Sequence, residues 1–461
     1  MRRLLALIIL AALLAGCATT PPPTNGVKTP TPDLATRPDV TAPKFAPPIL
    51  LGTITLGSEP NVAVDGARVY VTTPLALWRS EDSGKTFKAI GADACPRGLP
   101  ACGPLATKNP GLQGGGDGAT GVTPNGTLVW AGLGGGVPVQ VSRDHGDSWS
   151  KPVDVANKNS SDREWVAVGP DGTVYVQWRD FGKAAACSDP TGMNCPPPPP
   201  SGILVRASHD DGVTFADAVK VTEDGHQGPI APDPSSAWLY LVHVNGSTKL
   251  QVARSNDNAR TWEDIDAATL VDDTFQFPIS AVDSAGTVYV VYANGNFDKT
   301  GDYQADRFPN IPSIMMIHST DHGATWSKPV QLSLPGVPAV FPWIAAGAPG
   351  RIVAAFYEGA APTPMASPNQ WHVAVVESTT ADQDAPKLAR AFVTAEPNHV
   401  GQICVVGSAC GPQDRSLLDF FEVRIKPDGF PVLAYVGDAE VKMATVKVYA
   451  ASVTDGTNLL R

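Results

Sequence analysis

The residues of this chain able to do chemistry are seven cysteines, a set of arginines standing among acids, and five copies of one acidic motif. Six cysteines fall in close pairs: Cys95 with Cys102, Cys187 with Cys195, and Cys404 with Cys410. In an exported protein such local pairs read as disulfides, each closing a short loop and contributing about 2.5 kcal/mol. No pair has Cys-x-x-Cys spacing and only His399 stands near one, so no metal and no cofactor is expected. Guanidinium groups grip carboxylates in bidentate fashion, and Arg163, Arg179, Arg307 and Arg415 are the arginines best placed to do so. Arg163 and Arg415 follow Asp162 and Asp414, so the alternative is a run of ion pairs repeated along the chain. Tyr303, Tyr357, Glu164 and Glu358 offer phenols with carboxylates in reach. Asp298, Asp302 and Asp306 are spaced i, i+4, i+8. That spacing lacks the alternation of a calcium loop and reads as a solvated acidic stretch.

The acidic motif is Ser-x-Asp-x-Gly-x-Thr/Ser-Trp/Phe. Its copies run Ser80–Phe87, Ser142–Trp149, Ser208–Phe215, Ser255–Trp262 and Ser319–Trp326. Asp82, Asp144, Asp210, Asp257 and Asp321 are expected to accept N–H bonds within their own turn. Gly84, Gly146, Gly212 and Gly323 supply left-handed backbone, and the final aromatic packs. Ala259 replaces the glycine in the fourth copy, which predicts a distorted turn. Ser378–Asp384 is at best a decayed copy.

These motifs sit in a larger repeat. Each unit reads strand, Gly-containing turn, alternating strand, variable loop, strand, acidic motif, short strand. Units begin near residues 59, 113, 162, 226, 275, 338 and 414. Repeats of about 40–50 residues with four strands each predict an all-β propeller of four-stranded antiparallel blades. Seven blades are expected, with six as the alternative. The last unit lacks a fourth strand, and Ile49–Leu56 could supply it and close the ring.

The motif resembles the Asp box, or BNR repeat, of sialidases and several other propeller families, and the likeness spans nearly all of 49–452. The resemblance places the acidic turns on the face opposite the ligand site. It places at the channel mouth Asp117, Asp162-Arg163-Glu164, His226-Gln227, Gln276, Trp343 and Asp414-Arg415 from strand starts. Loops there bring Arg179-Asp180, the segment from Cys187 to Cys195, Asn296 to Phe308, Glu358 and Asp438. A sialidase uses three arginines on the substrate carboxylate, a Tyr nucleophile activated by Glu, and an Asp acid/base. Catalytic candidates on that scheme are Asp162, Arg163, Arg179, Arg307, Tyr357, Glu358 and Arg415. The Arg-Ile-Pro that precedes the first Asp box in sialidases is missing; Arg68 and Arg79 do not replace it. Trp165, Trp178, Trp343 and Trp371 are candidate platforms for sugar stacking.

The leader fixes an expected compartment. Arg2 and Arg3 precede the apolar run Leu4 to Leu14, and Leu14-Ala15-Gly16-Cys17 resembles a lipobox with Cys17 acylated. Residues 1–16 are then a signal peptide, 17–48 a Pro-rich disordered tether, and 49–461 one propeller domain. The formal charge is −11. Removing Arg2 and Arg3 leaves 32 basic residues against 45 acidic ones, or −13. This balance argues against nucleic acid as a partner. The expected protein is lipid-anchored in the bacterial cell envelope, with the outer membrane as the expected location. It would bind glycan or an envelope protein at the mouth without catalysis, or alternatively hydrolyse glycoconjugates as an exo-sialidase does.

Overall fold

Strands such as Val174–Asp180, Leu239–Val244 and Val288–Asn294 combine β-branched and aromatic residues and are buried almost throughout. Strands of that kind need packing partners on both faces, and stacked sheets supply them. The computed structural model describes residues 39–54, 59–74, 76–90, 118–133, 136–157, 161–181, 202–223, 225–244, 248–271, 276–295, 311–362, 368–403, 405, 416–437 and 446–461. Among them every regular element is a strand and none is a helix. Cys17, Tyr303, Arg307, Arg415, Asp117, Asp414, Asp438 and the three aspartates of 298–306 lie outside the described residues. So do all six cysteines expected to pair: Cys95, Cys102, Cys187, Cys195, Cys404 and Cys410. The described residues therefore contain no cysteine and no disulfide, and the three expected bridges stay expectations of the sequence.

The strands form seven antiparallel sheets. Their innermost strands are Asn61–Asp65, Gly118–Val122, Ser161–Val168, Ala231–Pro232, Ile279–Val282, Ala339–Ala346 and Glu422–Ile425, which define blades 1 to 7. Each inner strand touches the next, and the seventh touches the first, so the blades form a closed ring. The fold is a seven-bladed β-propeller, as the repeat predicts; the six-bladed count is set aside. Blade 7 is completed from the N-terminal side. Ile49–Ile54 and Lys44–Phe45 both pair with Val446–Asp455, so the expected closing strand is present.

Blade 4 departs from the regular pattern. Its inner strand is split into His226–Gln227 and Ala231–Pro232. Gly228 sits in the break, and a Cβ there would lie 2.0 Å from the carbonyl oxygen of Pro278. The interrupted backbone is satisfied from blade 3. Gln177 donates Nε2 to the Gly228 carbonyl at 2.7 Å and accepts the Ile230 N–H at 2.6 Å. Buried amides must find such partners, and here one side chain serves two.

The acidic motifs form five equivalent turns between third and fourth strands. In the first, Ser80 Oγ accepts the Gly84 N–H at 2.9 Å and donates to Asp82 Oδ1 at 2.7 Å. Asp82 then accepts the Thr86 N–H at 2.8 Å and the Thr86 hydroxyl at 2.6 Å. Burial pushes the Asp82 carboxyl up, but the bonds from Thr86, Ser80 and Lys85 outweigh it and hold it at about 2. The glycines let each turn press on a preceding blade: a Cβ on Gly146 would stand 2.6 Å from Leu77 Cδ2. The fourth turn is not distorted. Ala259 takes φ 65° and Ser255, Asp257 and Thr261 keep the same bonds. Its methyl is buried with Leu241 and Ala253, so apolar packing offsets the left-handed strain of roughly 1–2 kcal/mol.

Candidate functional site

The two ends of the ring differ. Inner strands end, and the acidic turns lie, on one face. Inner strands begin on the other, which is the channel mouth. Just inside the mouth the axis is closed by four rings. Trp165 of blade 3 packs on Phe420 at 4.6 Å, Trp343 at 5.5 Å and Phe277 at 5.7 Å; Trp343 lies 5.7 Å from Phe420. Beneath this plug, toward the turn face, a cavity of about 440 Å³ runs between the inner strands, with Arg424, Ser280 and Leu460 on its wall.

Two bulges shape the rim. Pairing of the blade 3 inner strand shifts between Asp162 and Trp165, and Arg163 there takes φ 56°. Pairing in blade 6 shifts between Val340 and Trp343, and Phe341 takes φ 55°. Left-handed backbone is uncommon for residues other than glycine and costs free energy that the surroundings must supply. Neighbouring blades do so: Gln227 Nε2 donates to the Arg163 carbonyl at 3.2 Å, and Gln276 Oε1 accepts the Phe341 N–H at 2.7 Å. Bulges of this kind re-aim side chains at sheet ends and beside sites.

The blade 3 bulge gathers the charged residues. Asp162 pairs in register with Arg179 on the adjacent strand. Asp162 Oδ2 lies 3.7 Å from Arg163 Nε, and its Oδ1 accepts the Arg163 N–H at 3.1 Å. The Arg163 guanidinium sits 5.1 Å from the centre of the Phe277 ring, so the side chain reaches from blade 3 toward blade 5 across the mouth. Arg179 covers Phe181 at 4.8 Å. Of the sequence candidates, the structure therefore brings Asp162, Arg163 and Arg179 together.

Tyr357 and Glu358 are corrected. Adjacent strand residues point to opposite faces, and both side chains are committed to packing. Tyr357 is fully buried; its hydroxyl donates to the Val436 carbonyl at 3.3 Å and accepts the Val436 N–H at 3.1 Å. That phenol ties blade 6 to blade 7 and is not presented to a substrate. Glu358 is likewise buried, accepting the Leu334 N–H at 2.7 Å and pairing with Arg390. The tryptophans are corrected too. Trp165 and Trp343 are interior plug residues, while the indole N–H groups of Trp178 and Trp371 donate to Asp180 and to the Gly401 carbonyl. Among the described residues no group of three or more His, Cys, Asp or Glu is placed to hold a metal.

The plug and the bulges escaped the sequence reading. A signal existed: units 3, 5, 6 and 7 each carry an aromatic near the start of the inner strand, Trp165, Phe277, Trp343 and Phe420.

No protein-family profile matches the chain, and no curated protein matches it. Solved structures do. An ulvan lyase from a new polysaccharide lyase family, in a structure described as bound to -[GlcA(1-4)Rha3S]-, aligns with TM-score 0.51 and 12% identity over 89% of this chain and 96% of its own. NanB sialidase from Streptococcus pneumoniae aligns with TM-score 0.46 and 11% identity over 84% and 83%. A Dyadobacter fermentans protein of unknown function aligns with TM-score 0.43 and 13% identity over 88% and 99%. At these identities the likeness is one of fold: the chain is similar to propellers, several of which are named for action on carbohydrate.

Proposed function

We propose that the channel mouth binds carbohydrate and that the protein is a non-catalytic glycan receptor. The observation that carries this is the pair of strained bulges at the rim. They hold Arg163 and Phe341 in left-handed backbone where regular strands would satisfy the fold alone. A mouth that gathers charged hydrogen-bonding groups suits a polyhydroxyl ligand. The ulvan lyase, a protein of the same fold described with a uronate-containing saccharide, makes an acidic glycan the first to try. The five acidic turns we assign as Asp boxes. The non-catalytic reading draws on Tyr357, one of the two phenols the sialidase scheme offers, whose hydroxyl is engaged by the backbone of blade 7.

The full-length protein is expected to retain acidic oligosaccharides on a glycan array and to release no fluorophore from a sialoside. Sialoside turnover would transfer the protein to the sialidase-type hydrolases.

The proposal includes an envelope anchor through lipid on Cys17. The described chain begins on the turn face: Asp39 meets Lys387, Thr41 bonds Thr457, and Lys44 meets Asp455. Cys17→Ser is expected to move the protein from the membrane to the soluble fraction on cell fractionation; unchanged membrane association would remove the anchor.

A further inference from the structure

A second opening shares no lining residue with the axial cavity or with the charged cluster of the mouth. It is a cleft of about 480 Å³ between blades 6 and 7, walled by Phe45, Pro47, Pro48 and Pro397 and floored by Tyr435 and Tyr449. The two tyrosines are cross-strand partners, stacked at 5.4 Å with an interplanar angle of 18°. Tyr435 is buried and Tyr449 is half-buried. Gly437 lies in the same wall, where a Cβ would come within 2.9 Å of the Asn398 carbonyl. Asn398 closes one side. Its Nδ2 donates to the Val436 carbonyl at 3.0 Å, which fixes the amide. Its Oδ1 is buried and accepts no hydrogen bond.

Charge and hydrogen-bonding capacity narrow the occupant. Among the described residues of the lining, Glu396 is the only charged one and none is Lys or Arg. An anionic ligand would meet a carboxylate and no counter-charge. A proline-rich peptide suits aromatic grooves in general, but proline has no N–H and can only accept from the tyrosine hydroxyls, whereas a sugar hydroxyl both donates and accepts. A neutral sugar has both parts. Its hydroxyls exchange bonds with the tyrosine hydroxyls, while its C–H face lies on the half-buried Tyr449 ring. The cleft has room for about two such residues at the usual scale of small-ligand pockets.

We infer that this cleft is a saccharide-binding site for neutral hexose or pentose units, distinct from the mouth. Binding is measured by calorimetry on the full-length protein with cellohexaose, xylohexaose, mannohexaose and arabinohexaose, and with decaproline as the competing chemistry. At least one hexasaccharide is expected to bind. Tyr449→Ala should weaken that affinity tenfold or more, and Tyr449→Phe should retain most of it because the ring remains. Four results would each overturn the assignment: no hexasaccharide binding, binding insensitive to Tyr449→Ala, binding lost in Arg163→Gly (which assigns it to the mouth), or decaproline binding at the cleft. Circular dichroism and the unfolding midpoint of each variant separate lost binding from lost fold.

Discussion

Trp343→Ala is expected to destabilise the protein by about 4 kcal/mol, the range for emptying a large aromatic from a packed core. Trp343 is fully buried and belongs to three blades at once. It touches Trp165 of blade 3 and Phe420 of blade 7, and Arg424 lies 5.7 Å from its ring centre. Its removal joins the mouth to the cavity of about 440 Å³ beneath, so the hole cannot close by local repacking. Trp343→Phe should cost far less, about 1.5 kcal/mol or below. The indole Nε1 is buried with no hydrogen-bond partner, so phenylalanine loses no bond and removes an unsatisfied donor. Urea unfolding of both variants is the check. A Trp343→Ala midpoint within error of the wild type would mean that the four rings do not form a packed plug.

Glu377→Gln is expected to stabilise the protein at alkaline pH by about 3 kcal/mol, with little effect in acid. Glu377 is fully buried in blade 6. Burial pushes its carboxyl up from 4.5 to about 7, and Thr457 offsets only part of that push. The folded value lies above the unfolded one, so the native state holds a proton that the unfolded chain releases first. Stability from this group is therefore complete below about pH 4.5 and is lost as pH rises to about 7. Glutamine cannot ionise and escapes the loss. Urea midpoints of wild type and variant should coincide at about pH 4 and separate at about pH 8. A constant difference at both pH values would contradict a buried protonated acid.

The architecture was legible because it is written in local chemistry repeated many times. Strand alternation, the Gly-containing hairpins and the Ser-x-Asp turns all act within a few residues, so five copies announce one blade after another. The closing strand was legible for a related reason: a unit lacking its outer strand leaves an open edge, and Ile49–Ile54 pairs with that edge. The site was less legible. Strand order alone puts Asp162, Arg163 and Arg179 at one end of blade 3, where Asp162 lies beside Arg163 and opposite Arg179 on the next strand. Tyr357 could not be judged, because its fate depends on Val436 of the next blade, 79 residues away. The undistorted turn at Ala259 and the bulge at Phe341 are likewise set by tertiary partners, a buried methyl pocket and Gln276, which override local preference.

The claim that the mouth is built for a ligand turns on Arg163. Glycine adopts its left-handed backbone without strain, so Arg163→Gly should recover about 1 kcal/mol. That gain offsets the loss of its largely buried contacts with Asp162 and Phe277. If the strain serves binding, the glycine variant will unfold at nearly the wild-type urea concentration and will bind acidic oligosaccharide at least tenfold more weakly. A variant that binds as tightly as the wild type, or one that unfolds several kcal/mol more easily, would show that Arg163 is there to hold the blades and would leave the mouth without a ligand.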